Sequence, residues 1–279
     1  MKKILLFILM LVLGTVSFAE NIVITSIQPL YSLTSYLTKG TDIKVYTPFG
    51  SETSMTMSKE AIREEGFDLS VAKKAQAVVD IAKVWPEDVI YGKARMNKIN
   101  IVEIDASYPY DEKMTTIFFN DYSNGKVNPY IWTGSKNLVR MVNIVSRDLI
   151  RLYPQNKAKI EKNVNKFTND LLKIENEANE KLLSVDNPSV ISLSENLQYF
   201  LNDMNIYAEY VDYDSITAEN IANLVRDKGI KVVISDRWLK KNVIKALKDV
   251  GGEFVIINTL DIPMDKDGKM DPEAILKAF

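Results

Sequence analysis

Residues 154–183 read PQNKAKIEKNVNKFTNDLLKIENEANEKLL, and this stretch decides the architecture. Ile160, Val164, Phe167, Leu171, Ile174, Ala178 and Leu182 recur every three or four residues, so they fall on one stripe of a helix. Lys, Asn and Glu fill the other faces. Pro154 suits the first turn, where a missing N–H loses no helical bond. A continuous helix over Pro154–Leu183 spans about 45 Å at 1.5 Å per residue, enough to bridge two lobes. The competing reading is a coiled-coil dimerisation helix. The stripe is short for that, and it stops at Asp186-Asn187-Pro188, a plain helix breaker. Just upstream, Ser135 to about Leu152 forms a second helical stretch.

On both sides of these helices the chain alternates short β-type runs with helical ones. Ile22–Ile27, Asp42–Thr47, Ala77–Ile81 and Ile99–Ile104 read as strands, with a helix at Leu30–Leu37. The second half repeats the theme. Ser189–Leu193, Tyr207–Tyr210, Lys231–Ser235 and Glu253–Ile257 are strands, separated by helices at Leu197–Met204, Thr217–Lys228 and Lys240–Val250. Such alternation predicts an α/β fold of two parallel-sheet lobes joined by a long backbone helix. The expected boundaries are a first lobe over 20–134, linking helices over 135–184 and a second lobe over 185–279.

Residues 1–19 have a different character. Met1-Lys2-Lys3 precedes an apolar run from Ile4 to Val16, and Ser17-Phe18-Ala19 supplies the small residues a signal peptidase reads. The run is shorter than the ~20 apolar residues of a spanning helix. It predicts a cleaved export signal and a protein that no longer crosses the membrane. The chain has no cysteine, so neither a disulfide nor a cysteine-linked lipid is available. The expected location is therefore a periplasm, free of a lipid anchor. Without Lys2 and Lys3, 33 basic side chains face 37 acidic ones. That balance offers nothing to nucleic acid or to an anionic membrane.

In order and spacing, the chain resembles the periplasmic solute-binding proteins that serve zinc- and manganese-type ABC importers. Ile22-Val-Ile-Thr-Ser-Ile-Gln-Pro-Leu-Tyr-Ser-Leu33 resembles that family's opening strand and helix. Tyr46-Thr-Pro-Phe-Gly-Ser-Glu-Thr-Ser54 stands where the family has a glycine turn and its first metal histidine. Ala75-Gln-Ala-Val-Val79 resembles the buried strand that follows. Asn128-Pro-Tyr-Ile-Trp132 matches the spacing of the Asp-Pro-His-x-Trp motif. Tyr153-Pro-Gln-Asn156, with Asn163 and Phe167, resembles the start of the backbone helix. Ser192-Leu-Ser-Glu-Asn-Leu-Gln-Tyr-Phe200 resembles the segment carrying the third ligand. The resemblance implies a ligand cleft between the lobes, an ABC permease as membrane partner and a role in metal uptake.

The ligand positions depart from the family. Carried over one by one, the first histidine falls on Ser54, the second on Tyr130 and the third ligand on Ser194, beside Glu195. The last aspartate falls on or next to Asn258, and a slip in either of these last two alignments brings Glu195 or Asp261 nearer the site. There is no histidine anywhere in the chain. Tight zinc sites are built from imidazole and thiolate, so a high-affinity zinc site of the usual kind has no material here.

Three readings of the cleft remain open. The first is an all-oxygen site for manganese, iron or another hard cation, using Glu52, Glu195, Asp236 or Asp261 with Tyr130. The second uses the thioethers of Met55 and Met57 for a soft metal, although methionine is commonly a core filler. The third is a changed ligand, a chelated metal or a small organic molecule. Ser54, Tyr130, Ser194, Asn258 and the triplet Asp236-Arg237-Trp238 would line such a pocket. Trp132 reads as packing. An enzyme would have to work without His or Cys, and the chain shows no nucleophile elbow or phosphate-cradling glycine loop. Glu64-Glu65 reads as a solvated pair. The alternative to a receptor is a ligand-free interaction module of the cell envelope that keeps the receptor fold.

Overall fold

The computed structural model describes residues 20–50, 53–111, 113–186, 188–261 and 271–278. The export signal read in residues 1–19 and the candidate ligand Glu52 lie outside them.

Two four-stranded sheets, each wholly parallel, carry the fold. In the first, β1 (Asn21–Thr25) and β3 (Ala77–Asp80) lie between β2 (Ile43–Tyr46) and β4 (Val102–Asp105), in the order β2-β1-β3-β4. In the second, β5 (Ser189–Ser192) and β7 (Val232–Ser235) lie between β6 (Tyr207–Tyr210) and β8 (Glu253–Ile256), in the order β6-β5-β7-β8. Position explains the sequence of each strand. All four residues of β3 are buried, and it reads Ala-Val-Val-Asp, as a strand covered on both faces must. The edge strand β6 reads Tyr-Ala-Glu-Tyr, and its two tyrosines are exposed.

Helices cover both faces of each sheet. On one face of the first lobe lie α1 (Gln28–Leu37), α4 (Ser135–Leu152) and α5 (Lys157–Leu182). The other face packs against α2 (Met55–Arg63) and α3 (Ile90–Asn97) through Ile62, Ile90 and Ala94. In the second lobe, α6 (Gln198–Asp203) covers one face, while α7 (Ala218–Lys228) and α8 (Lys241–Asp249) cover the other. A capping box between Thr217 and Asn220 starts α7, and Gly229 ends it at φ 68°, the left-handed turn that glycine takes without strain.

The long helix begins later than the periodicity suggests. Pro154–Asn156 forms a 3₁₀ turn, and α5 then runs for 26 residues. Of its stripe, Ile160, Phe167 and Leu171 are fully buried against α1 and α4, whereas Leu183, just past the end, is exposed. The final helix, α9 (Ala274–Lys277), does not stay with the second lobe. It packs on α1, where Ile275 N donates to Ser32 Oγ at 2.8 Å and Gln28 Nε2 donates to Asp271 O at 2.8 Å. Tyr199 and Leu260 of the second lobe join the core under α4, so the lobes share apolar packing.

Candidate functional site

Four strand ends of the second lobe open onto one cleft of 1110 Å³. The loops after β5, β6, β7 and β8 bring Ser194, Tyr213, Asp236 and Asp261 to its wall, and the first lobe adds Ser54 and Ser123. Ligand crevices of α/β proteins lie at the carboxyl ends of parallel strands, as here.

Asp236 is the hub of the polar wall. Its Oδ2 accepts from Ser194 Oγ at 2.9 Å and from Asn196 Nδ2 at 2.6 Å. Asn196 Oδ1 in turn accepts from the Tyr122 hydroxyl at 2.6 Å, which ties the first lobe to the second. Asp236 Oδ1 is buried and has no hydrogen-bond partner among the described residues. Buried carboxylate oxygens are seldom left so, and each such atom calls for an explanation.

Asp261 faces the same site. Its Oδ1 accepts from Met55 N at 2.9 Å, at the start of α2, and its carboxyl meets the Tyr130 hydroxyl. Burial raises the Asp261 carboxyl above its usual range, the bond from Met55 N opposes this, and the charge of Asp236 adds to the rise. Burial also lifts the Tyr130 phenol far above its ordinary value, with the charges of Asp261, Tyr122 and Asp236 pushing the same way. Tyr130 is thus a neutral hydroxyl against the Asp261 carboxyl, and the charge of Asp236 is near enough to act on both. A cation placed among them offsets that charge and satisfies the open oxygen of Asp236.

The remaining sequence candidates divide cleanly. Ser54 lines the cleft and caps α2, its Oγ accepting from Met57 N at 3.2 Å. Asn258 also lines the cleft, but its side chain turns to its own loop, Oδ1 accepting from Leu260 N at 2.9 Å. That bond holds Leu260 at φ 58°, an uncommon conformation for a leucine, and the turn presents Asp261. Glu195 accepts from Ser123 N at 2.8 Å and so stitches the lobes together. Met55 and Met57 do not converge, because they lie on α2 rather than on a strand. Met55 is buried, while Met57 is half exposed. Trp132 is buried, and its indole Nε1 donates to Thr259 O at 2.7 Å, as expected for packing.

Arg237 and Trp238 form the other wall. The Arg237 guanidinium lies 3.9 Å from the ring centroid of Tyr213, and the Tyr213 hydroxyl donates to Trp238 O at 2.6 Å. Trp238 remains 67% exposed. Sequence reasoning missed Tyr122, Asn196, Tyr210 and Tyr213. The last two were visible as an aromatic cluster, Tyr210-Val-Asp-Tyr213, at a strand end. Among the described residues no group of three or more His, Cys, Asp or Glu side chains is arranged to hold a metal ion.

The family described as zinc-uptake complex component A, periplasmic (ZnuA), matches residues 23–269. The chain belongs to that family. ZnuA-type proteins are periplasmic solute-binding components of ABC importers. Solved structures agree on the fold. The metal-dependent lipoprotein YcdH of Bacillus subtilis superimposes with a TM-score of 0.72 at 15% identity, over 92% of this chain and 96% of that one. FpvC of Pseudomonas aeruginosa, in complex with Mn2+, gives 0.69 at 15% identity over 93% and 94%. The Zn(II)-bound ZnuA-like domain of AdcA from Streptococcus pneumoniae gives 0.68 at 16% identity over 92% and 95%. No curated protein matches the sequence. Among the described residues no helix is long and apolar enough to cross a membrane.

Proposed function

We propose that this protein is an exported receptor that delivers a metal-bearing cargo to an ABC permease, and that it holds the metal through oxygen rather than through imidazole. Asp236 and Asp261 supply the charge, and the hydroxyls of Tyr130 and Ser54 supply neutral donors. Such a set suits a hard cation such as manganese or iron. The observation that carries this reading is the buried Asp236 oxygen left unpartnered among the described residues, close enough to the Tyr130–Asp261 contact for its charge to act on both. Export by cleavage after Ala19 and release free of a lipid anchor belong to the same proposal.

Isothermal titration of residues 20–279 with Mn2+ at neutral pH tests it. Saturable binding at one site, lost in Asp236→Asn and Asp261→Asn, is the expected result. No binding of Mn2+ or Fe2+, alone or chelated, would sink the receptor reading and favour a ligand-free interaction module.

A further inference from the structure

We infer that the cargo is not a bare ion but a metal held by a small organic anion, with the anion bound by Arg237 and its carbon skeleton lying on Trp238. The inference rests on the metal-receptor reading above.

Size gives the first argument. An ion with six waters fills about 180 Å³ at roughly 30 Å³ per water. The cleft holds 1110 Å³, the scale of pockets for organic ligands.

Charge gives the second. Asp236, Asp261, Glu195 and Asp212 make the lining acidic, yet Arg237 stands among them. Among the described residues no carboxylate forms an ion pair with it. Its partner is the face of Tyr213, which leaves the guanidinium N–H edge free to meet an anion. A fixed cation works against a site for a bare metal ion. It serves a site whose cargo brings its own negative group.

Surface gives the third. Trp238 is exposed but held in place: its ring tilts against Phe254 at 6.0 Å between centroids, and its carbonyl oxygen accepts from Tyr213. Tyr210 lines the same cleft and is partly exposed. A rigid, accessible indole on a cleft wall is a stacking surface for a flat ligand.

The test is calorimetry on residues 20–279 with Mn2+ alone, with citrate, picolinate and 2,3-dihydroxybenzoate alone, and with Mn2+ plus each chelator. At least one complex should bind at least about tenfold tighter than Mn2+ or its chelator alone. Arg237→Gln and Trp238→Ala should each remove that gain, and neither should bind Mn2+ alone more weakly than the parent. If Mn2+ binds but no complex binds tighter, the inference fails and the metal-receptor reading stands. A chelator that binds equally well without metal also overturns it. If neither ion nor complex binds, both readings fail.

Discussion

The indole Nε1 of Trp132 donates to the carbonyl oxygen of Thr259 at 2.7 Å, joining the start of the linking helices to the loop that carries Asp261. Both residues are buried, so the bond has no water to replace it. Trp132→Phe would keep much of the ring volume but leave that carbonyl unpaired. We expect a loss of about 1–3 kcal/mol in urea unfolding, the usual penalty for an orphaned buried polar group. A loss below 0.5 kcal/mol would show that the bond does not secure the loop.

Gly134 packs tightly against Tyr199 and Asp203 of the second lobe. A Cβ there would stand 2.9 Å from Tyr199 Cβ and 3.0 Å from Asp203 Oδ2. Tyr199 Cβ sits beside backbone and cannot swing away, and Asp203 is engaged by Lys136 N at 3.0 Å. Gly134→Ala should therefore cost about 1–3 kcal/mol through overpacking. A thermal melt unchanged from the parent would contradict it.

The turn before Asp261 offers a prediction about binding rather than stability. Asn258→Ala removes the side chain that fixes Leu260 N and lets Leu260 leave its left-handed conformation. Asp261 then loses its aim. Mn2+ affinity should fall about tenfold, a cost of about 1.4 kcal/mol, while Asp261→Asn falls further. Equal affinity in Asn258→Ala and the parent would show that Asp261 is aimed by other contacts.

A second set of carboxylates lies outside the cleft wall, at the ends of β3 and β4 and in the loop before α3. Asp80, Asp88 and Asp105 are buried, and Asp88 Oδ2 accepts from Ser26 Oγ at 2.5 Å. Burial raises the Asp88 carboxyl to about 7, opposed by bonds from Ser26, Ile81 N and Ile90 N. Burial and the neighbouring charges of Asp88 and Asp105 raise Asp80 well above its ordinary value. The folded protein therefore keeps protons that the unfolded chain releases near pH 4. The stability this confers is full below about pH 4 and is lost as the pH climbs through about 7. Asp88→Asn keeps an acceptor for Ser26 and removes the charge. Relative to the parent, its melting temperature should gain steadily from pH 4 to pH 8. A parallel pair of curves would contradict this.

Much of the fold was legible in the sequence, for identifiable reasons. Central strands such as β3 are apolar throughout because both faces are covered, and the stripe of α5 repeats at helical spacing because half of it is buried. Helices α2 and α3 were not legible. Only Met55, Ser58 and Ile62 of α2 point inward, and α3 buries just Ile90 and Ala94 around an exposed Gly92. Docking of α9 on α1 is a tertiary event with no local signal. Of the site candidates, Ser54 and Tyr130 came from the family's ligand positions, Asp236 from its place beside Arg237 and Trp238, and Asp261 from allowing a slip in register. The link from Tyr122 to Asn196 joins loops 74 residues apart, a pairing that no single stretch of sequence displays.

Native mass spectrometry of residues 20–279, recovered gently from a periplasm and compared with a denatured control, weighs the cargo in place. A receptor for a chelated metal carries the bound mass of a metal together with a small organic anion, present in the parent and absent from Asp236→Asn and Asp261→Asn. A bare polypeptide in the parent, or an adduct that survives both substitutions, would contradict the chelated-metal reading.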